Sequence, residues 1–142
     1  MMEAGLASGD RAVGCLADLR GLRSAPQLDP ATRLALLAEL RQRSAGCRWF
    51  TLGVMAPSPA VATAALRHCE NALGWRALEP ASGTGAMAVQ GPVFLKGNQN
   101  TGTYSLRSEE GLGEGILITG HNPADPGAED TWGPLPLNAF NI

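Results

Sequence analysis

Residues 91–107, GPVFLKGNQNTGTYSLR, contain two glycines five positions apart in a run of small polar side chains, a spacing that could hold a phosphate. A P-loop needs Lys and then Ser or Thr directly after its second glycine, followed by a helix whose backbone amides face the phosphates. Thr103 stands where that lysine is required, and the residues TYSLR that follow read as a strand. The stretch therefore predicts a β-hairpin rather than a P-loop.

The register of this hairpin decides which side chains share a face. A loop of two or four residues pairs Asn98 with Thr103 and Lys96 with Ser105, whereas a three-residue loop shifts every partner. We predict the first register, because it gathers Val93, Leu95, Tyr104 and Leu106 on one face and leaves Phe94 with the polar side chains on the other. A one-residue slip would reverse them all. Gly102 can then take the left-handed conformation that closes such a loop.

This register places Lys96 and Arg107, the only lysine or arginine residues after residue 76, on one face among hydroxyl and amide groups. We expect this face to receive an anionic group, carried by an acidic patch on a protein partner or by a small phosphorylated metabolite. The alternative is a solvated outer face whose cations neutralise Glu109 and Glu110. The candidate anion- or partner-binding residues are Lys96, Asn98, Thr103, Ser105 and Arg107.

Other polar residues lack the spacing that catalysis or metal binding needs. The set His121, Asp125, Glu129 and Asp130 matches neither an EF-hand nor a paired-histidine zinc site and predicts an acidic, solvated loop. The sequence has no G-x-S-x-G or H-E-x-x-H motif. We expect no metal and no cofactor, and we rank catalysis behind binding.

The three cysteines, Cys15, Cys47 and Cys69, are odd in number and form no C-x-x-C motif. This pattern argues against a disulfide framework and against a zinc site. His68 beside Cys69 suggests a thiol–imidazole pair, but adjacent residues on a helix point about 100° apart. We predict buried or idle thiols.

Two segments could contact another chain. Residues 111–115, GLGEG, resemble a dinucleotide fingerprint but lead into ILIT rather than a helix, so they predict a turn with Leu112 at its tip or folded back. The final DTWGPLPLNAFNI sets bulky apolar groups in a segment that its prolines keep irregular, so residues 120–142 are expected to be irregular. It packs as a strap on its own domain or offers anchors to a partner. The candidate partner-binding residues here are Leu112, Trp132, Leu135 and Phe140.

Periodicity and capping residues predict the elements that position these groups. Helices are predicted where apolar residues recur at helical spacing, with Asp29-Pro30 and Ser58-Pro59 as N-terminal capping pairs and Gly74 as a C-terminal cap. Strands are predicted where runs of β-branched residues are bounded by glycine. The expected helices are Leu6–Arg20, Ala31–Ala45 and one from Pro59 to Gly74; the expected strands are Arg48–Ala56, Trp75–Leu78, Val93–Asn98, Thr103–Arg107 and Gly115–Thr119.

These elements predict an α+β fold in a single domain over residues 1–142, with a mostly antiparallel or mixed sheet and helices packed on one face. We expect five or six strands, and we expect residues 1–8 to be flexible. The strand–helix–strand unit at 48–78 is followed by a meander from residue 92.

Charge and composition narrow the class of function. Residues 1–79 carry nine arginines against seven acids, and residues 80–142 carry two cations against six acids. Neither half has the dense basic stripe of a nucleic-acid-binding protein. No apolar run is long enough to span a membrane, and the first residues lack the pattern of a secretory signal. We therefore expect a cytoplasmic protein that binds no nucleic acid and does not insert into membranes.

The words GPVFLKGNQNTGTYSLR and GLGEGILITG, with LGVMAPS and LGW upstream, resemble a cyanobacterial family, the domain of unknown function 1824, over roughly residues 30–120. The resemblance implies a compact α+β fold in a cyanobacterial cytosol, and no residue roles transfer with it. We expect a non-catalytic interaction or regulatory protein that binds a protein component of photosynthetic or carbon metabolism. The alternative is a module that binds a small phosphorylated metabolite at the Lys96/Arg107 face.

Overall fold

The computed structural model describes residues 29–81, 89–111, 113–124 and 129–141. Within these residues the chain forms two α-helices, a short 3-10 turn and six strands. The helices are α1 (Pro30–Arg43) and α2 (Pro59–Leu73), and the strands are β1 (Trp49–Ala56), β2 (Glu79–Pro80), β3 (Val93–Asn98), β4 (Thr103–Ser108), β5 (Gly115–His121) and β6 (Glu129–Leu135).

The strands form one sheet in the order β2-β4-β3-β1-β5-β6. Every neighbouring pair is antiparallel except β2 and β4, which are parallel, so the sheet is mixed. The buried side chains of α1 and α2 join one face of this sheet in a single core. The predicted α+β fold, with five or six strands and helices on one face, is confirmed.

Both helices begin as their capping residues predict. The Asp29 carboxylate accepts a hydrogen bond from the backbone N–H of Thr32 at 2.8 Å, which holds the pKa of Asp29 below its ordinary value. The Ser58 hydroxyl accepts from the backbone N–H of Val61 at 3.3 Å. Gly74 ends α2 with a positive φ of 68°, where glycine carries no Cβ penalty.

The β3–β4 hairpin has the predicted register. Asn98 pairs with Thr103 and Lys96 pairs with Ser105 across a four-residue loop. The loop closes through a hydrogen bond from the Gly102 N–H to the Asn98 carbonyl, and Gly102 has a φ of 78°. Val93, Leu95, Tyr104 and Leu106 consequently turn toward the helices, whereas Phe94 lies on the opposite face.

The core lies between the helices and the inner face of the sheet. The central strand β1 contributes every second residue, and its neighbours β3 and β5 contribute the residues paired with them. The largest fully buried side chains are Trp132, Phe140, Leu36, Leu52, Leu66, Leu78, Leu95, Ile116, Ile118, Leu135 and Val54.

A buried carboxylate fastens the start of β2 to α2. Glu70 is 3% exposed; its carboxylate accepts from an Arg67 guanidinium N–H at 2.8 Å and from the Leu78 backbone N–H at 2.8 Å. The Arg67 guanidinium also donates to the Leu78 carbonyl at 2.9 Å. Both backbone groups of Leu78 are therefore satisfied, and its fully buried side chain packs over Gly97 in β3.

Two strand predictions need correction. The extended run after α2 forms a strand only at Glu79–Pro80, at the far edge of the sheet beside β4, so β1 and β2 are not neighbours. The segment 120–142 is not irregular throughout, because Glu129–Leu135 forms β6 and β5 extends to His121. Pro134 fits in β6 because an edge strand tolerates a residue without an N–H.

Some predictions fall outside the described residues. These are the helix Leu6–Arg20, the flexible residues 1–8, and the side chains of Cys15, Leu112, Asp125 and Ile142.

Replacing Glu70 with alanine should lower the free energy of unfolding by about 2–4 kcal/mol, because it leaves the buried Leu78 N–H without an acceptor and removes a charged partner from Arg67. Urea unfolding of the wild type and Glu70→Ala measures this difference. The control Glu110→Ala removes an exposed carboxylate and should stay within about 0.5 kcal/mol of the wild type. A Glu70→Ala protein as stable as this control would contradict the assigned role.

Gly97→Ala should cost about 1–3 kcal/mol by overpacking, because the added Cβ would lie 2.4 Å from Leu78 Cδ1. In a Leu78→Ala background the clash is absent, so the same substitution should cost at least about 1 kcal/mol less. A double-mutant cycle in urea tests this coupling. Gly46→Ala is the matched control, since nothing lies within 4 Å of its Cβ position. Equal costs for Gly97→Ala in both backgrounds would show that Leu78 is not what excludes a side chain there.

Candidate functional site

The site lies on the face of the sheet that is turned away from α1 and α2, which we call the open face. The pairing registers place alternate residues of β1, β3, β4, β5 and β6 on it. Its members are Trp49, Thr51, Gly53, Met55, Phe94, Lys96, Asn98, Thr103, Ser105, Arg107, Leu117, Thr119, His121, Glu129 and Thr131.

The structure brings all five predicted binding residues together on the open face. Lys96 lies opposite Ser105, and Arg107 lies one step along β4, diagonal to Lys96. Lys96, Thr103, Ser105 and Arg107 are exposed. Asn98 is half-buried, and its side-chain oxygen accepts the backbone N–H groups of the next turn, at 2.8 and 3.2 Å. Asn98 therefore shapes the hairpin loop, while the other four side chains are accessible.

The two cations have different surroundings. The Arg107 guanidinium lies 5.2 Å from the centre of the Phe94 ring and 3.0 Å from a Glu109 carboxylate oxygen. Its side chain remains 68% exposed, so this ion pair contributes at most about 1 kcal/mol. Among the residues that the structure describes, Lys96 makes no ion pair. A solvated face was expected to have both cations neutralise Glu109 and Glu110. Within the described ranges, the Arg107–Glu109 pair is the only one of these contacts that forms.

An apolar centre on the open face escaped the sequence analysis. Phe94 and Leu117 are half-buried, Met55 is 8% exposed, and Gly53 lies among them. A Cβ at Gly53 would lie 3.1 Å from Phe94 Cε1, so the glycine lets the ring lie against the sheet. The hairpin register already put Phe94 on the polar face, but its apolar neighbours come from strands that only the topology brings alongside.

A row of small polar side chains, which we call the threonine row, crosses the open face at right angles to the strands. Its members are paired successively across five strands in the order Thr103, Asn98, Thr51, Thr119 and Thr131. The hydroxyls of Thr119 and Thr131 are 3.1 Å apart. The row presents donors and acceptors without charge, and no local sequence spacing could have revealed it.

His121 lies at one end of the open face, next to the Trp49 ring and the Glu129 carboxylate. Its Nδ1 lies 3.0 Å from the Glu129 carboxylate, its Nε2 lies 3.4 Å from the Thr51 hydroxyl, and its ring stacks on Trp49 with centroids 5.4 Å apart. The imidazole satisfies both contacts when Nδ1–H donates to Glu129 and Nε2 accepts from Thr51. A cleft of about 320 Å³ adjoins these rings and is also lined by Asn122 and Pro123.

The predicted absence of a metal site stays a prediction. The described residues contain no group of three or more His, Cys, Asp or Glu side chains that could hold a metal ion. His121 and Glu129 are together, whereas Asp130 pairs with Arg43 at 3.1 Å, and Asp125 lies outside the described residues.

The described cysteines are poor candidates for a nucleophile. Cys69 is fully buried, and burial raises the pKa of its thiol well above its ordinary value. Cys47 is half-buried, and burial, with the nearby Asp130 carboxylate, raises the pKa of its thiol too. Both effects disfavour the reactive thiolate. His68 lines a different cleft, between the helices.

Three predicted partner-binding residues belong to the protein's own core. Trp132 is 1% exposed, Leu135 is 0% exposed and Phe140 is 2% exposed. The alternative in which this segment packs on its own domain is therefore correct for these three side chains. The prediction that they are exposed anchors for a partner is wrong. Burying them against the helices removes more apolar area from water than a solvated segment would.

The segment GLGEG contains Leu112, which lies outside the described residues, so the turn predicted there stays a prediction. Gly111 has a φ of 84°, and the segment leads directly into β5, not into a helix. None of the described helices is long and apolar enough to cross a membrane.

The chain is similar to a cyanobacterial protein of known structure. A solved structure, described as an uncharacterized protein from Anabaena variabilis ATCC 29413, superposes with a TM-score of 0.74 and is 26% identical. The match covers 95% of this chain and 99% of that one. No curated protein matches. The family model described as "Domain of unknown function (DUF1824)" matches residues 14–140, a longer span than the resemblance had indicated. The chain belongs to the DUF1824 family.

Proposed function

We propose that this chain is a non-catalytic interaction protein that binds an acidic segment of a protein partner on its open face and regulates that partner. The observation that carries the proposal is the placement of Lys96 and Arg107 as diagonal neighbours on an exposed sheet face beside the Phe94 ring. The expected setting is the cytoplasm of a cyanobacterium, and the expected partner is a protein of photosynthetic or carbon metabolism.

The placement of the two cations supports an acidic partner. Although residues 80–142 carry six acids and only two cations, both cations lie together on this part of the open face. Arg107 can exchange the half-buried Glu109 for a carboxylate of the partner at little cost, because the Arg107 side chain is 68% exposed and such ion pairs are weak. Lys96 is available as a second positive charge. An acidic segment would thus gain two charge-assisted contacts while displacing one weak pair.

The rest of the open face supports a protein partner as well. Protein interfaces combine an apolar centre with a polar rim, and Phe94, Met55 and Leu117 form such a centre beside the threonine row. The Phe94 ring also restricts the Arg107 guanidinium, which reduces the entropy lost when it binds a carboxylate.

Exposure favours a protein over a small metabolite at this surface. A small ligand is held in a concave site that buries most of its area. Lys96, Ser105 and Arg107 are all exposed on the sheet face, so a phosphorylated metabolite would gain charge contacts with little burial. A protein segment gains from the adjoining apolar centre too.

Charge reversal at both cations should abolish capture of the partner. We expect Lys96→Glu/Arg107→Glu to weaken binding at least tenfold, about 1.4 kcal/mol, because two attractive contacts become repulsive. The measurement is affinity capture from cyanobacterial lysate with mass spectrometry, followed by titration of the purified partner at two salt concentrations. Wild-type affinity should fall as salt rises.

Arg48→Glu is the matched control for the single variant Lys96→Glu, because each reverses one exposed charge. Arg48 lies just before β1, away from Lys96 and Arg107, so its reversal should leave binding unchanged. Circular dichroism and urea unfolding should show that all variants fold. Equal binding by the double variant and the wild type would contradict the assigned surface. If the wild type captures no partner reproducibly, the protein-binding function is wrong, and a thermal-shift screen of phosphorylated metabolites tests the alternative.

A further inference from the structure

A second candidate site lies on the helix side of the sheet, away from the open face. A cleft of about 470 Å³ opens where α1, α2 and the C-terminal segment meet. This volume is in the range of sites that hold small organic molecules. Its lining residues are Leu37, Arg41, His68, Asn71, Ala72 and Phe140.

The helical repeat explains how these residues converge. Leu37 and Arg41 are four residues apart on α1, and His68 and Ala72 are four apart on α2, so each pair shares one face of its helix. Arg33, one turn before Leu37, donates a hydrogen bond to the Asn141 carbonyl. This contact holds the C-terminal segment against α1 and places Phe140 at the cleft.

The cleft has an apolar floor. Leu37 is 7% exposed and Phe140 is 2% exposed, and both belong to the core cluster. These side chains cannot move aside without disturbing the core. An apolar group of a ligand would therefore meet a firm surface formed before binding, which lowers the entropic cost of association.

The polar lining favours an anion. Arg41 donates one hydrogen bond to the Ala72 carbonyl at 2.6 Å, which fixes the guanidinium at the cleft and satisfies a carbonyl at the end of α2. An arginine has five N–H donors, so others remain for a ligand. The His68 ring and the Asn71 amide add further polar groups, and no carboxylate is among the lining residues.

We infer that this cleft binds a small organic anion in which a carboxylate or phosphate is joined to an apolar group. The anionic group meets Arg41, with His68 and Asn71 beside it, and the apolar group lies on Leu37 and Phe140. The inference is independent of the proposed function, because the open face contributes none of these residues.

Phenyl phosphate, benzoate, inorganic phosphate and benzyl alcohol are the probes. In two-dimensional 1H–15N NMR spectra of the full chain, the amide signals of α1, α2 and residues 138–141 should shift and reach saturation as phenyl phosphate, benzoate or both are added. The comparison of these two identifies the anionic group. Inorganic phosphate and benzyl alcohol should each bind at least about tenfold more weakly, because each lacks one half of the recognised chemistry.

Arg41→Gln should weaken binding about tenfold or more, because a charge-assisted contact is lost. The matched control, Arg48→Gln, removes an exposed arginine that does not line the cleft and should bind as the wild type does. His68→Gln serves as the second variant if Arg41→Gln does not fold, and it should weaken binding severalfold. The absence of saturable shifts with both phenyl phosphate and benzoate, or unchanged affinity in the folded variants, would overturn the inference.

Discussion

The alternation of the central strand β1 governs the arrangement of both faces of this protein. Because β1 is hydrogen-bonded to β3 on one side and β5 on the other, its pattern is imposed on both halves of the sheet. Leu52 and Val54 turn toward the helices, while Thr51 and Gly53 turn toward the open face. A slip of one residue in the β1–β3 pairing would turn Lys96 toward the helices and Leu95 toward the open face, so the core and the proposed binding surface are fixed together.

Close approach of the helix layer to the sheet depends on one missing side chain. Gly97 leaves room for Leu78, and Glu70 holds the backbone of Leu78 by accepting its N–H. Arg67 compensates the buried charge of Glu70 and also donates a hydrogen bond to the Leu78 carbonyl. The short edge strand β2 is thus anchored through α2 as much as through its two pairs with β4.

The sequence predicted correctly those features that depend on interactions between residues close together in the chain. The helix caps at Asp29 and Ser58 and the hairpin register followed from residue type and spacing, because each depends on neighbours in sequence. The edge strand β6 did not, since Pro134 within it and the prolines around it are typical of a loop, and only an edge position makes the absent N–H harmless. The threonine row and the cleft at Arg41 depend on strand order and helix packing, which spacing along the chain does not encode.

Three large apolar side chains lie at the centre of the open face, and their packing leaves them only partly exposed. Phe94 lies against Gly53, and Arg107 covers part of the ring, so little of the aromatic area is left to the solvent. Met55 is nearly buried on the same face. The surface therefore need not aggregate when alone. In the proposed complex an acidic partner would meet the Arg107 guanidinium and the Phe94 ring at the same place, because the two are 5.2 Å apart, so the electrostatic and apolar contributions to binding would be made together.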